Sequence, residues 1–144
     1  MKNRFRLLVA GLVVAAVVLS TSVALAKPLS EQQWRKQANV LCKQSNEDLT
    51  AISNEAFAGL GPNDQPTAEQ YAAFLEQGDP SIRATLTSLE ALNEPKALKK
   101  DVKKLVAVTL AALDILNADP SADSDAVFAK PTKIFKRLGL VCGS

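Results

Sequence analysis

Apolar positions recur at spacings of three and four along four stretches of this chain, and turn-forming residues separate the stretches. The longest runs from Leu29 to Ala58. Within it Trp34, Ala38, Leu41, Ser45, Leu49, Ile52 and Ala56 lay a mainly apolar stripe along one helix, with Cys42 at the edge of the stripe beside Leu41. Ser30 followed three residues later by Gln33 is a capping-box pattern, and Leu29 and Trp34 occupy the positions of a hydrophobic staple, so the helix is predicted to start at Ser30. Gly59 ends it, and Gly61-Pro62 prevents its resumption.

A second capping box, Thr67 with Gln70, opens the next stretch. Tyr71, Leu75, Gly78, Ile82, Leu86 and Leu89 hold helical phase up to Leu92, yet Gly78-Asp79-Pro80 interrupts them. Two versions fit: a break with Asp79 capping a new helix, or one helix carrying a kink at Pro80. A third helix is predicted from the Asn93-Glu94-Pro95 boundary to about Ala118. Its stripe of Leu98, Val102, Leu105, Thr109, Ala112 and Leu116 is widened by Val106, Leu110 and Leu113, which marks an interior helix. Phe128, Pro131, Phe135 and Leu138 share helical phase in the fourth, where Pro131 either kinks the helix near its start or occupies its first turn. That helix ends in a Schellman pattern, with Gly139 at the left-handed position and Leu140 able to reach back to Phe135. Short connections between four such helices predict an all-α, up-down four-helix bundle.

The first 26 residues belong to a different class of segment. Lys2, Arg4 and Arg6 precede an apolar run, Leu7–Leu19, and Ala24-Leu25-Ala26 follows, the three parts of a secretory signal peptide. Ser20, Thr21 and Ser22 interrupt the apolar stretch, which favours cleavage after Ala26 over an uncleaved membrane anchor. The expected organisation is therefore a signal peptide, 1–26, and one helical bundle domain, 27–144. Losing the signal also changes the charge. The chain holds 17 Lys and Arg against 15 Asp and Glu, so removal of Lys2, Arg4 and Arg6 turns an excess of two positive charges into a deficit of one. The basic balance belongs to the signal, and nucleic acid is not an expected partner.

Export bears on the two cysteines as well. In an oxidising compartment they permit a single pairing, Cys42 with Cys142, and an antiparallel fourth helix would return Cys142 to the N-terminal half of the first. The fold expected is thus a disulfide-stapled bundle.

Candidate chemistry is sparse. The chain has no histidine, which excludes Ser-His-Asp and Cys-His catalysis and histidine-ligated metals, and its glycines match no phosphate-binding loop. Asp119, Asp123 and Asp125 lack the glycine and glutamate of a calcium loop and read as caps for the fourth helix. No cofactor or metal is expected. Trp34, Tyr71 and the phenylalanines read as core and staple residues, apart from Phe5 in the signal. The most informative cluster is Lys96, Lys99, Lys100, Lys103 and Lys104, whose spacing gathers five cations on one face at the start of the third helix. Cations there oppose the helix dipole and repel one another by a few tenths of a kcal/mol per pair. Such a face suits an anionic envelope polymer or lipid surface, although a solvated face partly neutralised by Asp101 is the plainer reading.

The Trp34, Ala38, Leu41-Cys42 run in a first helix, the closing Leu138-Gly139-Leu140-Val141-Cys142-Gly143 and the exported N-terminus resemble small secreted helical proteins and lipoproteins of actinobacteria, a largely uncharacterised group. The chain lacks the lipobox cysteine many of them carry. The functional expectation is a secreted, non-enzymatic helical binding protein of the cell envelope or exterior, with its partner unknown and an anionic envelope polymer, a lipid surface or a protein as the candidates. Two alternatives stand beside it: an envelope protein held by an uncleaved N-terminal helix, and a carboxylate-dependent hydrolase drawing on a pair of acidic residues.

Overall fold

The computed structural model describes residues 27–61 and 64–142; residues 1–26, where a signal peptide is expected, lie outside the described residues. Four helices follow one another: α1 (Glu31–Ala56), α2 (Ala68–Ala91), α3 (Lys96–Ala118) and α4 (Ser124–Leu138). None of the described helices is long and apolar enough to cross a membrane.

Local sequence signals account for most of the boundaries. Both capping boxes are formed: Ser30 accepts from the Gln33 amide while the Gln33 side chain accepts from that of Ser30, and Thr67 and Gln70 repeat the arrangement. Asp123 caps α4 by accepting from the amides of Asp125 and Ala126. At the other end of α4, Gly139 is left-handed with φ 71°, and the Leu140 amide donates to the Phe135 carbonyl at 3.0 Å, closing the Schellman motif.

Pro80 and Pro131 both lie inside helices. α2 runs unbroken through Pro80, and Asp79 caps nothing: it accepts from Arg83 Nε at 2.7 Å and from Asn117 Nδ2 of α3 at 2.8 Å, while Arg83 also reaches Asp114 at 2.7 Å. That network clamps α2 to α3 across the turn where proline removes a backbone hydrogen bond. The two carboxylates hold the Arg83 guanidinium's pKa above its ordinary value, chiefly through the Asp114 and Asp79 hydrogen bonds. Gly78 is buried at a close approach of α1 and α2, where a β-carbon would lie 3.3 Å from Leu49 Cδ2 and 3.5 Å from Phe74 Cζ. In α4, Pro131 is buried in mid-helix, so the version that placed it in the first turn is not the one adopted.

α1 packs on α2, α2 on α3 and α3 on α4, while α1 and α4 scarcely touch along their lengths. Cross-links between opposite ends confirm the up-down order: Arg137 of α4 pairs with Asp101 of α3 at 2.6 Å, and the Leu29 amide donates to Asn93, between α2 and α3, at 2.9 Å. The closed core is built from Trp34, Ala38 and Cys42 of α1, Leu86 and Leu89 of α2, Leu98, Val102 and Leu105 of α3, and Ile134 and Leu138 of α4. Cys42 is fully buried and Leu41 only partly so, the reverse of the order expected from the stripe. The reason is the chain's end, which folds over this face of α1.

Cys42 and Cys142 are disulfide-bonded, their Cα atoms 4.5 Å apart across a sequence separation of 100. The tail leading to Cys142 is also hydrogen-bonded to α1. Arg35 donates to the Leu138 carbonyl, Asn39 donates to the Gly139 carbonyl at 3.0 Å and accepts from the Val141 amide at 2.9 Å, and Asn46 donates to the Val141 carbonyl at 2.9 Å. The tail thus replaces the helix contacts that α4 does not make with α1.

Candidate functional site

Two features stand out once the helices are placed, a basic pole and an apolar cleft. At the end of the bundle formed by the starts of α1 and α3 and the ends of α2 and α4, Lys96, Lys99, Lys100, Lys103 and Lys104 are all exposed. None of them forms an ion pair among the described residues. Asp101, the acid expected to relieve their repulsion, is held by Arg137. Antiparallel packing brings the exposed Lys133 and Lys136 of α4 to the same end, and Lys36 joins from α1. Of the acids there, Glu31 is paired with Arg35 at 3.4 Å, which leaves Glu90 and Glu94 as the counterweights.

The opposite end carries the reverse charge. Asp48 and Glu55 at the end of α1, Glu69 and Glu76 in the first half of α2, and Asp119, Asp123 and Asp125 around the start of α4 all lie there, while Arg83 is occupied by Asp79 and Asp114. Ser121 donates from both its hydroxyl, at 2.5 Å, and its amide, at 3.0 Å, to Asp119, and these bonds lower that carboxyl's pKa. Asp123 is therefore the cap that the sequence context implied, Asp119 closes the preceding turn, and Asp125 lies in the first turn of α4. A bundle of near-neutral total charge is consequently divided into a positive and a negative pole, and the described chain begins, at Lys27, beside the positive one.

The cleft lies where α1 and α4 fail to meet, and has a volume of about 330 Å³. Ser45 and Leu49 of α1 form one wall, Phe128, Thr132 and Phe135 of α4 the other, and Leu86, Leu89 and Thr109 the floor. Tyr71 and Phe74 close one end and Cys142 the other, so the disulfide is part of the lining. Phe57, Tyr71 and Phe74 make a ring cluster with centroids 5.4–6.3 Å apart. Of the aromatic residues assigned to the core from sequence, Trp34 alone is fully buried; Phe57, Tyr71, Phe74, Phe128 and Phe135 are only partly buried, and four of these five line the cleft. A wider depression of about 510 Å³ between the two loops at the acidic end is lined mostly by small polar residues.

Hydroxyl groups in the cleft are not equivalent. Thr109 donates to the Leu105 carbonyl at 2.8 Å and Thr85 to that of Ser81 at 3.0 Å, so both are satisfied. Ser45, only 7% exposed, makes no side-chain hydrogen bond among the described residues. Asp125 is the one carboxylate at the cleft's edge. Spacing alone could not reveal this site, because its walls come from helices that are distant in sequence and whose backbones approach each other closely at few points. No protein-family model, curated protein or solved structure matches the chain.

Proposed function

We propose that the protein is a non-enzymatic binding module of the cell envelope or exterior that docks on an anionic surface through its basic pole. The separation of charge carries this reading: seven exposed lysines from α3 and α4, counting Lys133 and Lys136, share one end with few free acids. A lysine brought to an anionic headgroup layer contributes about 1 kcal/mol, and the acidic pole, directed away, sets the orientation. Placement outside the cytoplasm is supported by the disulfide, which persists in oxidising compartments, and by the signal-like residues 1–26.

The test is sedimentation with vesicles of phosphatidylglycerol and phosphatidylcholine, and retention on immobilised polyphosphate, for the native protein and for a variant with Lys96, Lys99, Lys100, Lys103 and Lys104 replaced by glutamine. The native protein is expected to bind the anionic supports in low salt and to release near physiological ionic strength, where charges more than about 8 Å apart are screened. Preference for polyphosphate over vesicles would identify the surface as a polymer. Equal retention of the glutamine variant would reduce the lysines to a solvated face.

A further inference from the structure

The cleft between α1 and α4 has the lining of a ligand site, and nothing in the basic pole requires it. Four helices contribute to it, its floor reaches the buried Leu86, Leu89 and Thr109, and its walls are largely aromatic and aliphatic. Its volume of about 330 Å³ falls at the lower end of small-molecule sites, roughly 300–1,000 Å³. Well-packed bundles close such a seam with interlocking side chains. Here the α1 side of the seam presents Ser45 where an apolar residue would fill the gap, and that hydroxyl has no partner among the described residues. The hydroxyl is open to solvent in the cleft, and a ligand oxygen can take the place of water there.

Charge restricts the ligand further. Among the described residues no cation lines the cleft, and Asp125 at its edge would repel a carboxylate or phosphate head. We propose that the cleft binds an uncharged, mainly apolar small molecule bearing a single hydroxyl or carbonyl group, its chain lying between Phe128 and Phe135 of α4 and Leu49 of α1 and its oxygen hydrogen-bonded to Ser45. The class includes long-chain alcohols and similar neutral amphiphiles.

Decan-1-ol, decanoate and decylammonium share one chain and differ in the head, so calorimetric titration of the disulfide-bonded protein with each separates the terms. The alcohol is expected to bind at least tenfold more tightly than decanoate, and Asp125→Asn to narrow that gap. Ser45→Ala should weaken decanol several-fold while leaving the affinity for N-phenyl-1-naphthylamine, an apolar fluorescent probe, within twofold. Thr132→Trp, at an exposed wall position that cannot unsettle the core, should weaken both ligands at least tenfold. Absence of decanol binding, tightest binding of decanoate, or unchanged affinities in Thr132→Trp would each overturn the proposal. Decylammonium binding more tightly than decanol would place the head at Asp125 and refute the role given to Ser45.

Discussion

Replacing Cys42 and Cys142 by serine opens a loop closed across a sequence separation of 100. In the chain-entropy model a closed loop of about that length destabilises the denatured state by roughly 4.7 kcal/mol, against a net stability of about 5–15 kcal/mol for a domain. The tail would keep its hydrogen bonds to Arg35, Asn39 and Asn46, and α1 keeps its own capping box, so helix content should change little. What weakens is the closure of the α1–α4 seam, which helix packing does not maintain. With a urea dependence of about 1–3 kcal/mol per molar, the loss corresponds to a midpoint lower by roughly 2–5 M. Trp34 provides the assay, as the chain's single tryptophan and a fully buried one; its emission reports the closed core while far-ultraviolet circular dichroism reports helix. Equal midpoints at equal slopes for the two proteins would refute the reasoning and assign the tail's attachment to the hydrogen bonds alone.

Other substitutions test single contacts. Trp34 Nε1 is buried with no acceptor, so Trp34→Phe removes an unsatisfied donor as well as volume; its destabilisation should stay near 1 kcal/mol, below the roughly 3–5 kcal/mol of aromatic truncation to alanine, as measured by thermal unfolding. Gly78→Val should cost about 1–3 kcal/mol by pressing on Leu49 and Phe74, and chemical denaturation giving no loss would show that α1 and α2 separate freely. Gly139→Ala adds a β-carbon at positive φ, 2.8 Å from Arg35 Nη1, and should cost at least 1 kcal/mol together with the Arg35 contact to Leu138. Because the Asp119 pKa is lowered on folding, the turn's contribution is present above the unfolded pKa and is lost as pH falls through the lower, folded value. Ser121→Ala should raise that pKa in an NMR titration, and an unmoved value would assign the shift elsewhere.

The elements most legible in sequence are those decided within a few residues. Ser30 with Gln33, Thr67 with Gln70 and Gly139 before Leu140 form the caps their spacing predicts, because a cap needs only its own turn. Pro80 and Pro131 were undecidable at that range. Whether a helix survives a proline depends on what else holds it, here the contacts of Asp79 and Arg83 with α3 and the burial of Pro131. Pairing of Cys42 with Cys142 followed from their being the chain's two cysteines in an exported sequence, and the bundle topology agreed with it, but the covering of Cys42 by the tail depended on Asn39 and Asn46. They flank it at spacings of three and four, a pattern indistinguishable from a solvated helix edge. The lysines of α3 were visible as a run. Their union with Lys133 and Lys136, and the occupation of Asp101 by Arg137, exist only once α3 and α4 are antiparallel.

That union gives the most direct test of the proposed function. Lys133 and Lys136 lie outside the α3 run, so Lys133→Gln/Lys136→Gln leaves the five lysines intact and asks whether the whole pole binds. At about 1 kcal/mol per lysine, vesicle partitioning of the double variant onto phosphatidylglycerol at low salt should weaken by up to roughly 30-fold, with a shallower dependence on salt. An exchange of Glu69 and Glu76 for glutamine at the other end should change it less than twofold. If the Lys133/Lys136 variant binds as the native protein does, or if the two exchanges have equal effects, the basic pole is not the docking surface.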